Sequence, residues 1–141
     1  MPGFAYLDAS ALVKLAIHER ETPALERAVA DRSALFTSEV GAIELHRALG
    51  RTGQPSAAEQ ADAVLEAVFL ADLTPAVRSQ AGRMAPAASR TLDAIHVATA
   101  AGLSLEGLDF ITYDDRQAAA ARAHGLRVLQ PGKATAAGPD T

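Results

Sequence analysis

The sequence predicts one α/β domain, with a central, mostly parallel sheet of about four to five strands flanked by helices. Three observations predict it. The chain has 141 residues, the size of one domain. Short apolar runs alternate with longer stretches of helical period along nearly all of it. Turn residues and helix caps mark the changes of period.

The first apolar run, Phe4-Ala5-Tyr6-Leu7, reads as a buried strand. Residues 10–17 read as a helix with Leu12, Leu15 and Ala16 on one face. Pro23 opens a second helix through Ala30, at a position where its missing N–H has no helical partner to lose. Ala34-Leu35-Phe36-Thr37 reads as the second strand, and Ser38 caps a helix over residues 39–49. Residues 50–55 form a turn. Ser56 and Glu59 have the spacing of a capping box, which opens a helix to about Val68. Residues 69–73 read as a third strand, and Thr74-Pro75 starts a helix to about Met84. Thr91 is expected to cap an Ala-rich helix over residues 92–101, which stops at Gly102. Phe110-Ile111-Thr112 is the fourth strand. A helix over residues 115–124 is closed by Gly125, suited to the left-handed conformation that ends helices. Residues 126–129 form the last strand. The domain is expected over residues 1–130. Residues 131–141, rich in Gly, Pro, Ala and Thr without an apolar period, are expected to be a disordered tail.

Composition narrows the function. There is no Cys, so disulfide scaffolds and thiolate zinc sites are excluded. No apolar run approaches the roughly 20 residues of a membrane helix, and no basic segment precedes Asp8, so no membrane partner and a cytoplasmic location are expected. A net charge of −4, from 13 Lys+Arg against 17 Asp+Glu, argues against a general nucleic-acid coat.

Ligands of such folds bind beyond the carboxyl ends of the strands. Asp8 follows the first strand and Asp114 follows the fourth, so both face one crevice if those strands are neighbours. Glu44 and Asp93 lie in helices among apolar residues. Each acid has a plainer reading. Asp8 and Asp114 suit helix caps, Asp93 a helix-dipole acid, and Glu44 a helical partner of Arg47. Together they would repel one another, and a hard divalent cation removes that cost. Mg²⁺ suits an all-oxygen set, with Mn²⁺ as a substitute.

At these residues the sequence resembles the PIN-domain ribonucleases, especially VapC-type toxins of bacterial toxin–antitoxin pairs. The resemblance rests on residues 4–15 around Asp8, residues 38–49 around Glu44, residues 92–100 around Asp93, and Phe110-Ile111-Thr112-Tyr113-Asp114. The four motifs stand in the family's order over residues 4–129. The resemblance implies a PIN-like fold and RNA as substrate, with Asp8, Glu44, Asp93 and Asp114 as metal ligands and catalytic acids. Asp115 adjoins the last of these, and the family pattern favours Asp114. Ser10 and Thr112 are candidates to orient carboxylates or metal waters. Arg47, Arg90 and Arg116, with Arg51, stand near the motifs and suit RNA phosphates. Of the four histidines, none has zinc-site spacing; His96 lies one turn from Asp93, within reach of the site, but is expected on the helix surface, as Lys14 is.

The resemblance also implies a homodimer neutralised by a small VapB-like antitoxin. Leu12, Leu15, Ile17, Leu25, Val29, Val64, Leu65 and Val68 recur at helical spacing, and those not used by the core are expected to offer it a surface. An antitoxin Arg or Lys is expected to reach the carboxylates. Two alternatives remain: a housekeeping PIN nuclease, and a phospho-acceptor receiver-like signalling domain. The latter would normally show an acidic pair after its first strand, where Asp8-Ala9-Ser10 stands here.

Overall fold

In a strand, neighbouring side chains point to opposite faces, so an unbroken apolar run requires cover on both. In the computed structural model, which describes residues 3–85 and 90–134, β1 (Phe4–Leu7) meets that requirement. Ala5 and Leu7 enter one core with Leu12, Leu25, Leu45 and Leu49. Tyr6 enters the other with Val97, Phe110 and Ala121. The elements follow as α1 (Ala9–Ala16), α2 (Thr22–Val29), β2 (Ala34–Ser38), α3 (Glu39–Gly50), α4 (Ala57–Glu66) and β3 (Phe69–Ala71). Then come α5 (Pro75–Gly82), α6 (Thr91–Gly102), β4 (Asp109–Ile111), α7 (Asp115–Ala123) and β5 (Arg127–Leu129).

The sheet has five strands in the order β3-β2-β1-β4-β5, and every pairing is parallel. The order reverses at β1, which lies between β2 and β4. Tyr6 pairs with Phe110 and Leu7 with Ile111, and the Asp8 N–H donates to the Ile111 carbonyl at 3.2 Å. This register sets Asp8 beside Thr112 at the carboxyl edge.

Every expected element is present, most of them with ends one or two residues from those expected, and the expected caps hold at some ends and fail at others. The Ser38 hydroxyl accepts from the N–H groups of Val40 and Gly41, and Thr74 accepts from Val77. Gly125 is left-handed, with φ of 82°. Ser56 makes no capping bond. Its backbone (φ −94°, ψ 11°) is not extended, the usual backbone of a cap that reaches the first turn. Thr91 is itself helical, and Arg90 stands at the cap position without a side-chain bond. The helix expected from Ser10 begins at Ala9, with Asp8 as its cap.

The expected partner surface on α1, α2 and α4 is core. Leu12 and Leu25 are fully buried and Val68 is nearly so. Leu15, Ile17, Val29, Val64 and Leu65 pack against them. The expected tail falls mostly on residues 135–141, outside those described. Within the described part, the Tyr113 hydroxyl donates to the Pro131 carbonyl at 2.6 Å and Lys133 contacts Asp115.

At the amino edge of the sheet, Asp109 is nearly buried and pairs with Arg32 at 2.6 Å and with exposed Arg127 at 3.2 Å. Removing one partner of a buried pair leaves a charge in low dielectric. Arg32→Met is therefore expected to cost about 3 kcal/mol in urea unfolding. It lies at the opposite edge from the carboxylates, so catalytic rate should not change.

Candidate active site

The site is built by what each strand does as it ends. β1 ends at Leu7, and Asp8 turns into α1 as its cap, accepting from the Ala11 N–H at 3.2 Å. Ser10 donates to Asp8 Oδ1 at 2.6 Å and Thr112 donates to Asp8 Oδ2 at 2.5 Å. Ser10 Oγ also accepts from the Tyr113 N–H at 2.8 Å, and Thr112 Oγ1 from the Asp114 N–H at 3.1 Å. Two hydroxyls thus tie the end of β1 to the loop after β4. Burial pushes the Asp8 carboxyl above its usual value, and the Ser10 and Thr112 hydrogen bonds oppose that rise.

Asp114 caps α7, its Oδ1 accepting from Arg116 N–H at 2.8 Å and Gln117 N–H at 3.3 Å. It is exposed, whereas Asp93 in the first turn of α6 is buried. Asp93 Oδ2 has no hydrogen-bond partner. Burial raises the Asp93 carboxyl above its usual value, and the charge of Asp114 raises it further. Arg90 and Arg116 act in the opposite direction. Asp93 and Asp114 therefore share one electrostatic neighbourhood, and Arg90 and Arg116 border it.

Glu44 is partly buried on α3, and its partner is not Arg47. His96 Nε2 stands 2.6 Å from Glu44 Oε1, and the Tyr6 hydroxyl stands 2.7 Å from His96 Nδ1. His96 is 2% exposed, so the expectation of a surface histidine is corrected. It lies one helical turn beyond Asp93, on the face that turns inward. Lys14 is corrected as well: it is largely covered, pairs with Glu19 and Glu21, and stands 4.9 Å from the centre of the Tyr113 ring. Gln117, buried on α7, donates to the Asp93 carbonyl at 3.1 Å and was not singled out from sequence. Its position three residues after Asp114, as the one long uncharged polar side chain of an Ala-rich helix, was the available signal.

A cleft of about 510 Å³ adjoins this cluster through Ser10 and Glu44. Val13, Ile43 and Leu92 give it apolar walls, and Arg47 and Arg51 line it too. Among the described residues, no three His, Asp or Glu side chains form a ready-made metal cage. The donor chemistry nevertheless suits a hard cation. The four acids offer oxygen only, and a buried carboxylate oxygen without a partner is what a cation would satisfy.

The PIN domain family model matches residues 5–123. Ribonuclease VapC47 of Mycobacterium tuberculosis (strain CDC 1551 / Oshkosh) is 39% identical over 131 residues, covering 90% of this chain and 96% of that protein. Ribonuclease VapC46 of Mycobacterium tuberculosis (strain ATCC 25618 / H37Rv) is 40% identical over 126 residues, covering 89% and 96%. The crystal structure of Mycobacterium tuberculosis VapC20, a toxin that cleaves the sarcin-ricin loop, superimposes with a TM-score of 0.69 at 19% identity, covering 90% and 99%. That identity speaks for the fold alone. With a family match over most of its length and relatives at 39–40% identity along nearly all of it, the chain belongs to the PIN-domain family, among the VapC ribonucleases.

Proposed function

We propose that this protein is the toxin of a type II toxin–antitoxin pair and a metal-dependent endoribonuclease. The observation that carries the chemistry is the buried, unpartnered Asp93 Oδ2 near the charge of Asp114, which follows β4, the neighbour of the strand that ends at Asp8. Asp8, Glu44, Asp93 and Asp114 would hold one or two Mg²⁺ or Mn²⁺ ions. Such a cation supplies an acidified water and offsets charge growing on the phosphate. Ser10 and Thr112 hold Asp8 in one orientation. Glu44, as one of the metal ligands, would also orient the attacking water. Arg47, Arg90 and Arg116 border the acids and suit the RNA phosphates, which a net-acidic crevice would otherwise repel.

A VapB-like antitoxin and a homodimer complete the proposal. Solved relatives in fold include VapBC2 of Rickettsia felis bound to promoter DNA, with a TM-score of 0.70 at 12% identity. The cleft beside Glu44, with exposed Ile43 and Leu92 at its wall, is the surface we assign to the antitoxin, in place of the helices that proved to be core. An Arg or Lys from the antitoxin would pair with the carboxylates in place of the cation. No helix among the described residues is long and apolar enough to cross a membrane, and we assign the protein to the cytoplasm. Membership of the PIN family sets aside the receiver-like alternative.

The test is RNA cleavage by the purified protein with Mg²⁺, with EDTA, and with Asp8→Asn. EDTA and the substitution are each expected to reduce cleavage by roughly 10²-fold or more. Cleavage that survives both removes the metal mechanism.

A further inference from the structure

Tyr6, His96 and Glu44 form a hydrogen-bonded chain that runs from the core to the crevice. Tyr6 is fully buried on β1, and its hydroxyl meets His96 Nδ1 at 2.7 Å. His96 Nε2 meets Glu44 Oε1 at 2.6 Å. The two rings also contact edge to face, with centroids 5.7 Å apart. The third wall is backbone. A Cβ on Gly41 of α3 would lie 3.2 Å from His96 Cε1 and 2.3 Å from Thr37 Oγ1, so α3 approaches this closely only because Gly41 has none. The imidazole is held on three sides.

With Glu44 ionised and the His96 ring neutral, the donor inventory sets the direction of the chain. An ionised Glu44 can only accept, so Nε2 carries the hydrogen. In the neutral ring Nδ1 is then the acceptor, and the Tyr6 hydroxyl donates to it. A neutral phenol is a hydrogen-bond donor, and Tyr6 is fully buried against the ring it meets. A ring nitrogen held by a second group is how proteins commonly orient an imidazole and its carboxylate partner.

We propose that His96 is the positioning residue for Glu44, engaging Oε1 so that Oε2 is the oxygen presented to the cation, and that Tyr6 sets the tautomer in which it does so. This rests on the reading of Glu44 as a ligand of the metal. It gives α6 two tasks one turn apart, a carboxylate at Asp93 and the orientation of the acid on α3 through His96.

The test reads Mn²⁺ binding to the metal-stripped full chain, without RNA, by the electron paramagnetic resonance of free Mn²⁺. His96→Ala is expected to weaken Mn²⁺ binding roughly 10–100-fold with the circular dichroism unchanged. His96→Gln, whose amide N–H can replace Nε2–H, is expected to recover most of that loss. The double variant His96→Ala/Glu44→Gln should bind no worse than Glu44→Gln alone. Imidazole ¹⁵N spectra should place the His96 hydrogen on Nε2. If Glu44→Gln weakens binding and folded His96→Ala does not, the positioning role is wrong and the carboxylate site stands. A folded His96→Gln as impaired as His96→Ala also overturns it, since shape and not the hydrogen bond would then matter. If neither Glu44→Gln nor Asp8→Asn alters Mn²⁺ binding, the carboxylate site itself falls, and this inference with it.

Discussion

Asp93→Asn should cut RNA cleavage by about 10²–10³-fold and raise the melting temperature of the metal-free protein. The two effects have one origin. Asp93 is buried, its Oδ2 has no partner, and the charge of Asp114 acts on it. Without a cation the ionised side chain is a liability. An amide removes the charge and offers an N–H to the negative field of Asp114. Relief of roughly 1 kcal/mol corresponds to a rise of about 3–5 °C in a domain of this size. The sign of the pH dependence follows. The folded-state pKa of Asp93 lies above the ordinary value of 3.8, and burial raises Asp8 as well. The stability from these bound protons is full below that value and is lost as pH rises through the folded-state pKa values. The metal-free protein should therefore lose stability as pH rises from about 4 toward neutrality, and Asp93→Asn should flatten the slope. Saturating Mg²⁺ should stabilise the wild type more than the variant. Thermal melts over a pH series, with and without the ion, check all three expectations.

Thr112→Val should be the most damaging substitution among residues that carry no charge. The side chain keeps its shape and loses one hydroxyl. That hydroxyl is fully buried, donates to Asp8 Oδ2 at 2.5 Å, accepts from the Asp114 N–H at 3.1 Å and lies 3.3 Å from Ser10 Oγ. Its loss strands a buried carboxylate oxygen and a backbone N–H together. A stability loss of about 2–3 kcal/mol is expected, since the lost bond is to an acid. Groups that orient metal ligands typically contribute 10–100-fold to affinity, so Mn²⁺ binding and cleavage should both fall by about that factor. Urea unfolding and Mn²⁺ titration measure the two losses separately. Ser10→Ala should follow the same course more mildly, because Ser10 is only partly buried.

The sheet was legible from sequence because its central strand carries an unbroken apolar run, and a strand covered on both faces needs one. The capping positions of Asp8 and Asp114 were legible because strand ends and helix starts coincide there. His96 was not. Its helix has Ala94, Val97, Ala98 and Ala100 all buried, so apolar residues surround the axis and no polar face stands out to orient a histidine. Its partners lie 90 and 52 residues away, on β1 and α3, beyond any local pattern. Lys14 was misread for a related reason. It sits at the last turn of a short helix, and its acids come from the following loop and helix start, which fold back over it. The apolar residues of α1, α2 and α4 looked surplus because period shows a face and not what covers it. Here the helices cover one another and the sheet. The relation among the four acids depends on the strand order β2-β1-β4, which sequence neighbours cannot supply.

That strand order has a consequence for synthesis. The ribosome delivers Asp8 among the first residues and Thr112 more than a hundred residues later, yet Phe110 must zip against Tyr6 before Thr112 can meet Asp8. A nascent chain that has emerged only as far as α6 has Asp8 without its Thr112 hydrogen bond. The hydrogen bonds that orient Asp8 are therefore completed only once β4 has been made and docked.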